Sequence, residues 1–220
     1  MTKSRYSSEL RYITVNGVGT STVTPDAVRF LASVSNIATT NEEALSNASK
    51  TANEVRSALK TATIDSKDIT SSLTLYPEYF YSQEKGQQLV GYRATQTFTV
   101  IVRKAESAGT VIDAVVRAGG NSLQINEVSP FLLNGAAATD KARNAAVADA
   151  KTRAKSYAKS LGTSLDKIIY LIEVNAPTYT FQVASADKTE SFNSTQIDLG
   201  QTDVTVSVST QWKLKDSKSN

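Results

Sequence analysis

One stretch of the chain, residues 134–174, constrains the fold more than any other part of the sequence. It reads NGAAATDKARNAAVADAKTRAKSYAKSLGTSLDKIIYLIEV and predicts a helix from about Ala136 to Leu161, a stop at Gly162 and then a strand. The inner stripe of this helix is mainly alanine, at positions 142, 146, 150, 154 and 158. Because small side chains allow close approach, we expect the stripe to pack on a sheet; a contact between helices of two subunits is the alternative.

Shorter periodic patterns predict the other elements. Two further helices begin near Asn41 and Ala105, and strand patterns cover residues 11–18, 27–37, 69–76, 89–103, 123–133, 167–174 and 204–214. The strand at 89–103 has one apolar and one polar face, which is typical of an antiparallel sheet covered on one side. The order β-β-α-β-β-α-β-α-β-β predicts an α+β fold, with mostly antiparallel sheet layers and amphipathic helices packed on one side.

The predicted elements indicate one folded domain over residues 11–214. Residues 1–10 are polar and are expected to form a flexible N-terminus, and the charged residues 215–220 a disordered tail. Within the domain, residues 175–201 are rich in Ser and Thr and show no period, so they predict a long polar loop or arm.

Composition excludes several classes of function. The chain has no His and no Cys, which removes Ser-His-Asp and Cys-His catalytic pairs and zinc or iron–sulfur sites with such ligands. No EF-hand-like calcium loop occurs either. The net charge is only +3 and is spread along the chain, whereas nucleic-acid binders usually carry a basic stripe. We therefore predict a protein that is not an enzyme, has no catalytic, cofactor-binding or metal residues, needs no cofactor and binds no nucleic acid.

Two glycines, Gly17 and Gly19, lie in the motif V-N-G-V-G. A phosphate-binding loop would need a third glycine and a helix that opens after it, and this sequence has neither. The preferred interpretation is a turn or bulge that glycine permits within a strand.

Charged side chains support only weak hypotheses. The long helix carries five basic residues that could hold anionic lipid at a membrane surface: Lys141, Lys151, Arg153, Lys155 and Lys159. Arg153 falls on the flank opposite three of the lysines, so a solvated face is the preferred interpretation. Among the carboxylates, Asp26, Glu78 and Glu173 could act as an acid–base pair, but nothing in the sequence brings two of them together.

Aromatic residues are concentrated in the segment Y-P-E-Y-F-Y, near the expected tip of a hairpin. Because aromatic side chains are enriched at interface hot spots, Tyr76, Tyr79, Phe80 and Tyr81 are the candidate interaction residues. The alternative is that these side chains pack back onto the sheet. The polar residues 82–88 beside them predict an exposed loop, which favours a partner-binding or subunit-contact site.

Four motifs together resemble the SIMPL domain family, a domain of unknown function. The first is I-T-V-N-G-V-G-T-S-T-V-T-P-D-A from Ile13, and the second is Y-P-E-Y from Tyr76 with G-Y-R-A-T-Q-T-F-T-V-I-V from Gly91. The third is A-V-A-D-A-K-T-R-A-K-S-Y-A-K-S-L-G from Ala146 with L-D-K-I-I-Y-L-I-E-V, and the last is V-T-V-S-V-S-T-Q-W from Val204. They span residues 13–214 in the order typical of the family.

The resemblance implies an α+β protein of the bacterial periplasm or cell surface with a structural or interaction role. It also implies a ring-like, channel-like or cage-like homo-oligomer, and it supplies no catalytic residues. Some members are related to oxidative stress, so a small-molecule or peptide-binding module in stress protection is the alternative function. The polar first ten residues contain no apolar core of a signal peptide, so a cytoplasmic location is the alternative to an extracytoplasmic one.

Overall fold

The computed structural model describes residues 11–182 and 195–215. Its elements in chain order are β1 (Tyr12–Val23), β2 (Ala27–Ala38), α1 (Asn41–Thr61), β3 (Ile69–Ser82), β4 (Gly86–Val102), α2 (Ala108–Gly119), β5 (Leu123–Phe131), α3 (Ala136–Ser160), β6 (Leu165–Glu173), β7 (Thr178–Gln182) and β8 (Gln201–Leu214). All strand pairs among the described residues are antiparallel, and the helices pack on sheets. The predicted α+β fold class is confirmed.

The chain divides into two compact units. In its described residues, unit 1 contains 11–23, 134–182 and 201–215, while unit 2 contains 24–133 and 195–200. Unit 2 is therefore almost continuous in sequence, whereas unit 1 is built from three separate segments. No helix of the described residues is both long and apolar enough to cross a bilayer.

Unit 2 is a four-stranded sheet in the order β3-β4-β2-β5 that carries α1 and α2. The inner positions of β2 and β4 alternate as predicted, and their largest buried side chains are Phe30 and Phe98. The helices contribute Val55, Leu59 and Val115 to the same core. Helix α1 begins at Asn41, near the predicted start, and is capped by Thr40, whose hydroxyl accepts the Glu43 amide N–H at 3.2 Å.

Unit 1 contains a four-stranded sheet in which the other three described strands all pair with β8. Strand β1 pairs with one edge of β8, while β6 and then β7 pair with successive parts of its other edge. Helix α3 lies over β1 and β8, and its predicted alanine stripe is buried there. The stripe faces the sheet of its own chain, as the core interpretation requires.

Gly17 and Gly19 explain how α3 comes so close. A Cβ on Gly17 would collide with the carbonyl oxygen of Ala146, and one on Gly19 would collide with that of Ala142. The β1–β8 pairing runs through both glycines without a register shift, so the expectation of a turn or bulge here is wrong. The glycines are needed because helix backbone lies directly on this strand.

Two other boundaries differ from the expectation. The strand predicted at 69–76 continues through Pro77 to Ser82 as β3. Proline is tolerated there because β3 is an edge strand, where its missing N–H can face away from the neighbouring strand. The arm predicted at 175–201 contains strand β7, and its far end packs on α2, where the Thr195 hydroxyl donates to Asp113 at 2.6 Å. Residues 183–194 of the arm, the predicted N-terminus 1–10 and residues 216–220 of the predicted tail lie outside the described residues.

Candidate interaction surfaces

The predicted aromatic residues lie on a hairpin that extends past its sheet. Strand β2 stops pairing with β4 at Tyr92, but β3 and β4 continue to pair with each other as far as Ser82 and Gly86. We call residues 76–92 the aromatic ribbon. Its candidate residues are exposed: Tyr76 by 45%, Tyr79 by 52%, Phe80 by 62% and Tyr81 by 71%. The side chains therefore do not pack back onto the sheet, and Leu89 and Val90 add further exposed apolar surface.

An ion pair anchors the root of the aromatic ribbon. Arg93 donates two hydrogen bonds to the Glu78 carboxylate, at 2.9 and 3.2 Å, and a third to the Ser35 hydroxyl on β2 at 3.0 Å. The hydrogen bond from Arg93 holds the pKa of Glu78 below its usual value. Just beyond, Gly91 packs so closely on Ala38 that a Cβ would collide with the Ala38 carbonyl oxygen. The ribbon is thus fixed at its base, while its tip is free of its own sheet.

A second exposed apolar surface lies in unit 1, and sequence reasoning did not single it out. Because α3 covers mainly β1 and β8, most of strand β6 at the sheet edge is left open. Its five consecutive apolar side chains are Ile168, Ile169, Tyr170, Leu171 and Ile172, each between 37% and 57% exposed. We call this run the β6 edge. The uninterrupted I-I-Y-L-I sequence, without the alternation of a half-buried strand, was the available sign of it.

The candidate carboxylates are engaged in structural contacts. Asp26 accepts the Leu133 amide N–H at 2.7 Å, Glu78 binds Arg93, and Glu173 accepts the Arg143 Nε–H at 2.9 Å. The structure brings no two of these three together in either unit. Within the described ranges, no group of three or more Asp and Glu residues could hold a metal ion.

The basic residues of α3 are exposed, and Arg153 also binds the carboxylate that supports the edge of β1. The Asp149 carboxylate accepts the Val18 amide N–H of β1 at 3.0 Å and also binds Arg153 Nε. The pKa of Asp149 is lowered first by that backbone hydrogen bond and then by Arg153. Arg153 is therefore already paired with Asp149, while the lysines project into solvent.

Each unit has a large open groove, and unit 2 also has a smaller one of about 180 Å³ beside Asp68 and Arg103. The groove in unit 1 measures about 490 Å³ and runs between β1 and α3, beside Thr14, Arg153 and Tyr157. The larger groove in unit 2 measures about 530 Å³ and lies between α1 and α2, lined by small and apolar residues such as Ala58 and Ala114. None of these grooves gathers the candidate aromatic residues.

Comparison with known proteins assigns the chain to a family. The family described as SIMPL, protein of unknown function (DUF541), matches residues 13–212. The 26 kDa periplasmic immunogenic proteins of Brucella melitensis and Brucella abortus are each 28% identical over 213 residues, which cover 92% of this chain and 84% of theirs. The uncharacterized protein YggE of Edwardsiella ictaluri is 32% identical over 111 residues, 50% of this chain and 46% of its own. The match over nearly the whole chain shows that this protein belongs to the SIMPL family.

Proposed function

We propose that this SIMPL protein is a non-enzymatic, self-assembling protein with a structural or interaction role at the bacterial cell envelope. The proposed assembly is a closed homo-oligomer of ring-like, channel-like or cage-like form. The observation that carries this proposal is the aromatic ribbon, which presents large apolar side chains beyond the sheet that supports it.

A ribbon of this kind is stabilised by a partner that covers its apolar faces. A two-stranded hairpin is marginally stable alone in water, because it has no third layer against which to bury its apolar faces. Here the ribbon exposes Tyr79, Phe80, Tyr81, Leu89 and Val90 together. Tyr79, Tyr81 and Leu89 share one face of the ribbon and Phe80 lies on the other, so both faces expose apolar surface. Exposed apolar surface of this kind marks an interaction site, and aromatic residues supply much of the binding energy at interfaces. A contact with a second copy would cover this surface.

Light scattering coupled to size-exclusion chromatography tests the proposal. We expect the wild-type protein to have a mass of several chains at micromolar concentration. Changing Tyr79, Phe80 and Tyr81 to Ser should reduce the measured mass, because the substituted side chains no longer supply apolar contact area. The variant should keep its circular dichroism spectrum, since these side chains contribute nothing to the core of their own chain.

A matched control uses aromatic residues outside the ribbon. Tyr12 and Tyr157 are 57% and 58% exposed, so changing both to Ser removes exposed aromatic surface elsewhere. We expect this variant to keep the wild-type mass. A strictly monomeric wild-type protein would contradict the assembly, and equal effects of the two variants would contradict the role of the ribbon.

We also propose that the protein acts outside the cytoplasm, in the periplasm or at the cell surface. The support is the similarity to two relatives that are named periplasmic. Fractionation of the bacterium that makes the protein, followed by immunoblotting, should recover it with periplasmic or envelope markers. Recovery only with cytosolic markers would contradict this location.

The proposed role requires neither catalysis nor nucleic acid. The absence of His and Cys and the structural engagement of Asp26, Glu78 and Glu173 support a protein without an acid–base centre. The small and dispersed net charge supports the absence of nucleic-acid binding. The exposed lysines of α3 are compatible with a weak electrostatic contact at a membrane surface.

A small-molecule or peptide-binding role in stress protection is the second candidate. It is favoured by the groove between α1 and α2, whose mainly small and apolar lining includes Ala58 and Ala114, with Arg117 available for an anionic group. Native mass spectrometry of the protein purified from its own bacterium should then detect a bound molecule. An Ala114→Trp variant, which fills the groove, should lose that molecule; the same bound mass in both proteins would exclude this groove.

A further inference from the structure

We propose that two copies of this chain pair through their β6 edges, in antiparallel orientation about a two-fold axis at Tyr170. This contact rests on the proposed self-assembly and specifies one of its interfaces. It is separate from the aromatic ribbon, which lies in the other unit. Four observations carry it: the openness of the strand, its composition, its charges and its register.

The strand is an unpaired sheet edge. Among the described residues, β6 pairs only with β8, and α3 packs mainly over β1 and β8, reaching β6 at Glu173 through Arg143. Natural proteins usually protect such an edge with charged residues, Pro, a β-bulge, a covering helix or a very short strand. Of these, the run from Ile168 to Ile172 has only the irregular pairing with β8 that precedes Tyr170. The β6 edge has no charge, Pro or Gly between Ile168 and Ile172. It therefore presents apolar side chains together with unpaired backbone groups.

The sequence around this edge is self-complementary in antiparallel pairing. It reads K-I-I-Y-L-I-E from Lys167 to Glu173. With Tyr170 opposite its own copy, each Ile169 lies opposite a Leu171 and each Ile168 opposite an Ile172. At both ends, Lys167 of one copy faces Glu173 of the other. Opposite charges facing across strands stabilise a pair, whereas a parallel in-register pair would place like charges together.

The two charged residues are placed to accept such a contact. Lys167 is exposed, and Glu173 is held at the end of the strand by Arg143 of α3 at 2.9 Å. Two register shifts against β8 are confined to the Lys167 half of the strand, so Tyr170–Glu173 pairs regularly with β8. In the proposed pair, the regular half of each strand, Tyr170–Glu173, would lie opposite the half from Lys167 to Tyr170 of the other copy.

A second copy fits this edge better than a lipid surface. Acyl chains would cover the isoleucines but leave the N–H and C=O groups of the edge without hydrogen-bond partners, which is costly in hydrocarbon. A strand from another copy satisfies those groups and the charges together. Five apolar residues per copy fall well short of the roughly 20–30 residues a side of a standard interface, so we expect this contact to act with a second one.

Cysteine cross-linking tests the register, because the chain has no Cys of its own. Residues directly opposite in an antiparallel pair have Cα atoms about 4.5–5.5 Å apart, within the range that a disulfide spans. Under mild oxidation, Tyr170→Cys should therefore form a covalent dimer on a non-reducing gel. Ile168→Cys and Ile172→Cys alone should cross-link at least several-fold more slowly, and the double variant Ile168→Cys/Ile172→Cys should regain the dimer.

Charge exchange tests the same register without oxidation. Lys167→Glu and Glu173→Lys should each lower the mass by a factor of two or more, because each places like charges together at both ends. An equimolar mixture of the two variants should regain the wild-type mass through mixed pairs. Lys159→Glu, an exposed reversal on α3, is the matched control for Lys167→Glu and should keep the wild-type mass.

The outcomes separate this inference from the proposed function. A monomeric wild-type protein overturns both. A wild-type oligomer whose three single-Cys variants cross-link equally, or not at all, overturns the β6 contact alone. A mixture of charge variants that stays dissociated also counts against the contact, while the assembly through the aromatic ribbon would stand.

Discussion

Gly17 and Gly19 show how strongly one missing side chain can determine packing. Each lies where the backbone of α3 touches β1, so an alanine would force helix and strand apart. We expect Gly17→Ala to lower the free energy of unfolding by about 1–3 kcal/mol, the usual cost of overpacking. Urea denaturation measures this, with Asn16→Ala as the control on the exposed face of β1. Equal stabilities of the two variants would contradict the close approach.

The ion pair of Asp68 predicts a pH dependence. Its carboxylate is 6% exposed and accepts two hydrogen bonds from Arg103, at 2.6 and 2.7 Å. Those bonds lower the pKa of Asp68 in the folded state below that in the unfolded chain, about 3.9. The stabilisation is therefore complete above about pH 5, where the carboxyl is ionised in both states, and it is lost as the pH falls through the unfolded and then the lower folded pKa.

A comparison of the wild-type protein with Asp68→Asn tests this loss of stability at low pH. At neutral pH the variant should be less stable by about 1–3 kcal/mol, because a charge-assisted hydrogen-bonded contact at a buried group is lost. The difference should shrink between pH 5 and pH 2, since wild-type Asp68 becomes protonated there. Urea unfolding at several pH values measures both curves, and a constant difference would contradict the role of the carboxylate.

At the scale of elements, periodic patterns predicted most of the fold. The alanine stripe, the alternating strand at 89–103 and the apolar faces of α1 and α2 are all buried as expected, because local pattern and packing agree. Strand β7 was missed because its short T-Y-T-F-Q sequence follows a proline and pairs with a strand that begins nineteen residues later. The aromatic residues could be selected from sequence, but their exposure depends on β2 ending opposite Tyr92 of β4, a long-range register that no local pattern encodes.

The aromatic ribbon also predicts a difference in hydrogen exchange. Where β4 lies between β3 and β2, its amides are shielded on both sides, whereas the ribbon past Tyr92 has only two strands. In the Tyr79, Phe80 and Tyr81→Ser variant, amides of 79–82 and 86–90 should exchange at least tenfold faster than those of 95–101. In the wild-type assembly the ribbon should gain protection. Equal exchange of the ribbon in both proteins would contradict its contact role.

At the scale of the molecule, the division into two units was not visible in the sequence. Unit 1 combines three segments, and neither composition nor linkers reveal that residues near both ends of the chain share one sheet. Unit 2 is nearly continuous, so we expect residues 24–133 alone to unfold cooperatively in urea, as a domain of ordinary size does. A fragment without a cooperative transition would contradict this expectation.

The central position of β8 in unit 1 has a consequence for the order of folding. Every other described strand of that sheet pairs with β8, which is synthesised after all of them. Strand β1 must therefore wait for a partner almost two hundred residues away, whereas unit 2 can form its sheet from residues already made. Contacts so distant in sequence form slowly. A chain stopped just before Gln201 should contain a folded unit 2, while β1, α3 and the apolar β6 edge still lack their template, and this is the stage at which the protein most needs protection from premature association.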